Sequence, residues 1–212
     1  MIFYQHWEPK GHIFGTCMSH QDSGLMYVNI PKNASSWTKP NLKDFGWEFY
    51  NYHTDHMYHK HAMVVLRDPV ERWLSGIAEY FTLYHRFVDT SQFNQAFIDL
   101  VMDQITLDDH TEKQVYFIEG LNFNKCTFFM CDQDYRLLFC QFLANQGIDN
   151  TKKYARYSYQ HTTENREDGD GTRVKFKKTF QPLLDDPKYL EKVKQHYKLD
   201  YELINGVQFF RG

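Results

Sequence analysis

The fold is decided by Tyr27-Val28-Asn29-Ile30-Pro31-Lys32-Asn33-Ala34-Ser35-Ser36-Trp37. An apolar run stops at a proline and a lysine, and two hydroxyls follow. That order predicts a short buried strand over 25–30, a tight turn, and a helix starting near Ala34. The N–H groups of a helix's first turn point outward with partial positive charge, so the turn suits a phosphate or sulfate. Ser35 and Ser36 add hydroxyl donors and Lys32 adds a full charge. Pro40, six residues on from Ala34, predicts a short or kinked helix, and Gly46 ends it.

The next apolar run, Ala62–Leu66, leads straight into Arg67-Asp68-Pro69-Val70-Glu71-Arg72-Trp73-Leu74-Ser75-Gly76. Asp68 as N-cap and Pro69 at the first helical position are start signals. Val70, Trp73, Leu74, Ile77, Tyr80, Phe81 and Tyr84 then recur at helical spacing. Arg67 falls at a strand end and Ser75 two turns along the helix, placed to converge on one anion. Arg72 shares a helix face with Ser75, and also reads as an i, i+4 surface partner of Asp68.

Working outward, residues 1–24 read as a polar arm with one short strand around Ile13–Cys17. Trp47–Tyr52 and Thr127–Met130 read as strands, and 92–105, Gln133–Asn145 and Pro187–Leu203 as helices. Asp109–Ile118 adds a further turn or helix, and 161–171 a polar, flexible loop. Strands alternating with helices predict an α/β fold, one domain over 1–212, with a central, mostly parallel sheet flanked by helices. Ligands bind such sheets at the strands' carboxyl ends, here the loops at 31–36, 53–55 and 67–69.

Composition narrows the classes. Of 212 residues, 24 are basic and 27 acidic, a net charge of −3, without the basic footprint of a general nucleic-acid binder. Any anion site must therefore be local. Cys17, Cys126, Cys131 and Cys140 contain no C-x-x-C pair, and the last three, in one aromatic-rich region, read as buried free thiols. No apolar run reaches the roughly 18 residues of a membrane span. The start, Met1 to Lys10, lacks the basic and apolar regions of a secretory signal, so a cytoplasmic location is expected. The 31–36 loop is not Gly-x4-Gly-Lys-Ser/Thr, and no acidic Mg²⁺ partner ends an apolar strand, which argues against a standard nucleoside triphosphate cradle.

Taken together, the two segments resemble the sulfotransferase family that uses 3′-phosphoadenosine 5′-phosphosulfate. Pro31-Lys32-Asn33-Ala34-Ser35-Ser36-Trp37 is similar to its 5′-phosphosulfate loop, usually Pro-Lys-x-Gly/Ala-Thr/Ser-Thr/Ser and an aromatic. Arg67-Asp68-Pro69-x-x-Arg72-x-x-Ser75 is similar to its 3′-phosphate motif. Asp109-His110-Thr111-x-x-Gln114-x-x-Phe117-Ile118 resembles an element of the membrane-type, carbohydrate-modifying branch. The resemblance covers 27–80 and implies a P-loop-NTPase-like sulfotransferase fold. It implies a cofactor site of Lys32, Asn33, Ala34, Ser35, Ser36, Trp37, Arg67 and Ser75, and sulfuryl transfer to a hydroxyl, expected on a carbohydrate, with no metal, nucleic acid or membrane partner. Ala34 replaces the commoner glycine, which is tolerable with helical torsions. The Gly-x-x-Gly-x-x-Lys motif of the cytosolic branch has only a loose substitute at Gly171-Thr172-Arg173-Val174-Lys175.

Sulfuryl transfer calls for positioning, charge neutralisation and a base. His53, directly after the second strand, is the first candidate base, and its position is similar to that of the cytosolic branch's histidine. Glu48 is the second, since several carbohydrate branches use a glutamate, and Asp55 and His56 remain open. Lys32 is the catalytic cation. His53, His56, His59 and His61 are too irregularly spaced to argue for a metal site. Competing readings are a divergent P-loop kinase or nucleotidase, which would bind ATP with Mg²⁺, and a nucleotide-binding module without turnover.

Overall fold

The computed structural model describes residues 16–51, 60–148 and 171–212. Its sheet has five strands, β1 (Thr16–His20), β2 (Leu25–Asn29), β3 (Glu48–Asn51), β4 (His61–Leu66) and β5 (Cys126–Met130), in the order β3-β1-β2-β4-β5. β4 is buried from Ala62 to Leu66 because it lies between parallel neighbours, β2 and β5, and is covered on both faces. Its side chains alternate. Met63 and Val65 face a layer of α1 (Ser35–Asp44) and α4 (Tyr135–Asn145), built on Trp37, Leu42, Tyr135 and Phe139. Ala62, Val64 and Leu66 face Phe117 and the α7 helix (Lys198–Gly206). Each such fully buried apolar side chain contributes roughly 1.5–3 kcal/mol.

A second apolar body joins α2 (Pro69–Tyr84), α3 (Gln95–Gln104), α5 (Thr172–Phe180) and α6 (Pro187–His196) through Trp73, Ile77, Phe81, Val101, Phe176, Phe180 and Val193. α2 starts as its sequence dictates: the Asp68 carboxylate accepts from the Glu71 N–H at 2.9 Å, and Pro69 opens the first turn. Such a cap is worth about 1 kcal/mol. Asp68 is thus committed to the helix start and also accepts from the Tyr201 hydroxyl at 3.3 Å.

The fold is α/β, and the sheet is mixed with a mostly parallel core, since β2, β3, β4 and β5 share one direction and β1 opposes them. β1 runs antiparallel to both β2 and β3, so two of the four ladders are parallel. The cause lies in Gln21-Asp22-Ser23-Gly24. Gly24 takes φ 67° and its N–H closes on the His20 carbonyl at 3.2 Å, a hairpin that folds β1 back along β2. Residues 16–24 are therefore an interior strand and turn, not an arm; Cys17 and Met18 are fully buried. Residues 1–15 lie outside the described set, as do 161–170 of the loop expected at 161–171.

The insertion of β1 preserves the direction that matters. Asn29 and Asn51 both pair with Thr16, so β2 and β3 point the same way and end level with each other. With one strand between them their ends stand about 10 Å apart. β4 ends at this same edge, its Val64 level with Val28. The Pro187–Leu203 segment is two helices, α6 and α7, broken at Tyr197, whose buried ring faces the 105–111 segment and whose hydroxyl donates to the Thr111 carbonyl. Among the described residues no helix is long and apolar enough to cross a membrane. All four cysteines are free, with Cys17 buried and the others half-buried.

Candidate anion-binding site

The turn after β2 is left-handed at two non-glycine positions, Lys32 (φ 68°) and Ala34 (φ 57°). The helical torsions expected at Ala34 are not adopted. Instead, left-handed Ala34 reverses the chain so that its carbonyl accepts from the N–H of Trp37 at 2.9 Å and of Thr38 at 3.0 Å, which launches α1. No side chain caps this helix start. By helix geometry the N–H groups of Ser35 and Ser36 have no partner within the helix, which makes this end of α1 a candidate anion site. Despite Pro40, α1 keeps ten residues and ends at Asp44, with Gly46 (φ 80°) closing it.

A left-handed alanine is strained by about 1–2 kcal/mol relative to right-handed backbone, a cost glycine avoids. Ala34→Gly is therefore expected to raise stability by about 0.5–1 kcal/mol net, because glycine's extra unfolded-state entropy offsets part of the gain. Urea denaturation would show a higher midpoint at unchanged slope.

Two buried side chains hold the turn in place. Asn33, fully buried, donates through Nδ2 to the Val65 carbonyl at 2.7 Å and to Gln114 Oε1 at 2.6 Å. Gln114 in turn accepts from the Arg67 N–H at 3.0 Å and donates to the Arg67 carbonyl at 2.9 Å. The backbone N–H groups of Gln114 and Val115 rest on the buried Asp200 carboxylate at 2.9 and 3.0 Å. One amide therefore ties the turn after β2 to the turn after β4.

Arg72 makes the second tie. Its side chain is fully buried on α2, and it donates to the carbonyls of Pro31 at 3.0 Å, Asp109 at 3.3 Å and Glu112. Its guanidinium also lies over the Phe117 ring, 5.8 Å from the centroid. It is a core residue rather than an exposed partner of Asp68. Gly76, one turn on, admits the chain between these carbonyls; a Cβ there would overlap the carbonyl of His110.

The charged rim is compact. Arg67 donates from Nη1 to the Lys32 carbonyl at 3.2 Å and from Nη2 to Glu71 at 3.4 Å, which lays its guanidinium across the turn. Lys32 reaches the other way, and its Nζ lies 3.1 Å from Glu79 on α2. Glu79 also holds Arg173 of α5, at 2.5 Å from Nε and 3.0 Å from Nη2. Burial draws the Lys32 ammonium below its usual range, with Glu79 opposing. Burial would raise the Glu79 carboxyl, but Lys32 and Arg173 outweigh it and hold it low. Close by, burial disfavours a charged His110, yet Asp108 at 2.9 Å and Asp109 at 3.0 Å push its imidazole up to about 9. Asp108, Asp109 and His110 also bring one ligand atom each within 4.8 Å of one another, a set able to take a metal ion.

The structure thus brings Lys32, Asn33, Ala34, Ser35, Ser36 and Arg67 together, with Ser75 largely buried on the same helix as Arg72 and Glu79. Asn33 and Trp37 face inward, and their backbone N–H groups donate to the Ile30 and Ala34 carbonyls. The Asn33 amide is spent internally, and the Trp37 indole, 3% exposed, packs edge-on to Tyr135 and Phe139. Glu48 begins β3, paired with Ser19, three residues short of the carboxyl edge, and accepts from the Tyr50 hydroxyl at 2.5 Å. His53, Asp55, His56 and His59 lie outside the described residues. His61 opens β4 at the opposite edge, 2.7 Å from the Thr127 hydroxyl. Sequence reasoning missed Glu79 and the roles of Arg72 and Gln114. Only the apolar spacing of α2, which buries position 72 between Trp73 and Ser75, hinted at one of them. Compared with protein-family models, curated proteins and solved structures, the chain has no match.

Proposed function

We propose that the chain transfers the sulfuryl group of 3′-phosphoadenosine 5′-phosphosulfate to an acceptor hydroxyl, on a carbohydrate. The observation that carries this reading is the joining of the turns after β2 and β4 at one sheet edge: Arg67 donates to the Lys32 carbonyl, and Arg72 to the Pro31 carbonyl. In this reading the α1 N-terminus, Ser35, Ser36 and Lys32 hold the 5′-phosphosulfate, and Arg67 and Ser75 the 3′-phosphate. The acceptor oxygen attacks sulfur as the bond from sulfur to the 5′-phosphate oxygen breaks. Adenosine 3′,5′-bisphosphate leaves, and Lys32 neutralises the charge that builds on the bridging oxygen. The acceptor's proton passes to His53. That residue follows β3 by two positions, and β3 ends at the edge where β2 gives way to the Lys32 turn.

Thermal-shift titration tests the reading. Adenosine 3′,5′-bisphosphate is expected to stabilise the protein without Mg²⁺, by about 2.7 kcal/mol at 100 times its Kd. ATP is expected to do so more weakly with or without the metal. Stabilisation by ATP that depends on Mg²⁺ and exceeds that of the bisphosphate would favour a kinase or nucleotidase instead.

A further inference from the structure

Glu79 pairs with both Lys32 and Arg173 beside the turn after β2. Arg72 and Glu79 lie seven residues apart on α2, two turns along one face. Arg72 fixes the Pro31 carbonyl, and Glu79 takes the ammonium of the next residue, Lys32. Arg173 clamps the same carboxylate through both its oxygens. The side chains of Lys32, Glu79 and Arg173 are only 15%, 13% and 12% exposed, so the pairing is little screened.

We infer that Glu79 is a resident competitor for the anion site and decides which anions enter it. This deepens the sulfotransferase reading and rests on it for the identity of the natural ligand. A carboxylate tethered on a packed helix faces Lys32 at an effective concentration in the millimolar range or above. A lone sulfate or phosphate has no second anchor and loses to it. A nucleotide already held at Arg67 and at the α1 N-terminus presents its terminal group to Lys32 from a tether of its own. That group can displace the carboxylate, which keeps Arg173 as partner. The site thereby discriminates a bisphosphate nucleotide from the abundant inorganic anions that carry the same chemical group.

The test is calorimetric titration of wild type, Glu79→Gln and Glu79→Gln/Lys32→Met with sodium sulfate, pyrophosphate and adenosine 3′,5′-bisphosphate. Glutamine keeps the shape and a hydrogen bond to Arg173 but removes the charge. Glu79→Gln is expected to bind the bisphosphate about tenfold tighter, to gain at least as much for sulfate, and to lose both gains when Lys32 is also replaced. Should the glutamine variant fold poorly, Glu79→Asp withdraws the carboxylate by one methylene and is expected to move affinities the same way by a smaller factor. Equal or weaker binding of all three anions by the folded variant overturns the inference and leaves Glu79 as a tether between α2 and α5. The two readings fail separately. Bisphosphate that binds wild type but gains nothing in Glu79→Gln refutes the competition alone. Bisphosphate that binds no variant, while sulfate gains through Lys32, refutes the ligand assignment and supports the competition.

Discussion

Arg72→Leu is expected to lower the free energy of unfolding by about 3–5 kcal/mol, because three buried carbonyls lose their donor at once. Leucine fills much of the volume but donates nothing. The carbonyls of Pro31, Asp109 and Glu112 then face an apolar side chain, and a buried acceptor left unpaired costs about 1–3 kcal/mol. The native guanidinium has no carboxylate within ion-pair distance among the described residues. Burial lowers its pKa, and the fields of Tyr197, Asp200, Glu112 and Asp109 support its charge. Arg72→Lys should recover little, because a single ammonium cannot span three carbonyls on two segments. Urea denaturation gives the stability change. Anion titration gives the functional one, since the variant frees Pro31 and so loosens the turn that aims Lys32. A loss under 1 kcal/mol for the leucine variant would show that the three carbonyls find other donors and that Arg72 does not hold the two turns together.

The residues that make Arg72 important show what the sequence could and could not disclose. Its environment is assembled from Pro31, Asp109, Glu112 and Phe117, which are 41, 37, 40 and 45 positions away, and nothing in local spacing names such partners. Periodicity marks the α2 face but cannot say whether a polar residue on it meets water or backbone. Gln114 is a similar case: a lone glutamine in a turn, legible as part of a motif, but readable as a cross-link only once β4 and β2 lie side by side. Features that depend on neighbours in the chain were legible. The Asp68-Pro69 start of α2, the Gly46 stop of α1 and the apolar β4 each follow from backbone chemistry within a few residues. The antiparallel placement of β1 was less so. Asp22-Ser23-Gly24 is a turn signal, but β1 itself, Thr16-Cys17-Met18-Ser19-His20, has no clean alternation because it is covered on both faces. The left-handed Ala34 ran against propensity, because an L side chain rarely takes that conformation.

On the proposed sulfotransferase reading, Lys32→Met is expected to reduce sulfuryl transfer by about 10²–10³-fold, the usual consequence of deleting one preorganised group aimed at developing charge. Methionine retains an unbranched apolar stem of similar length, so the stretch from Pro31 to Ala34 keeps its packing while the ammonium is lost. The φ of 68° at position 32 costs methionine no more than lysine, since neither is β-branched. Ground-state binding should weaken less than turnover, because in that reading Arg67, the α1 N-terminus and the serine hydroxyls would still hold the two phosphates. The expected signature is thus a large fall in kcat with a smaller change in KM for the sulfate donor. One complication follows from Glu79. Without Lys32 its carboxylate still faces the incoming anion and repels it, so part of the single variant's loss is repulsion. Lys32→Met/Glu79→Gln separates the two effects, with donor binding expected to recover and kcat to stay low. If the double variant regained the wild-type rate, Lys32 would serve only to balance Glu79. Unchanged turnover in the single variant would remove Lys32 from the chemistry altogether.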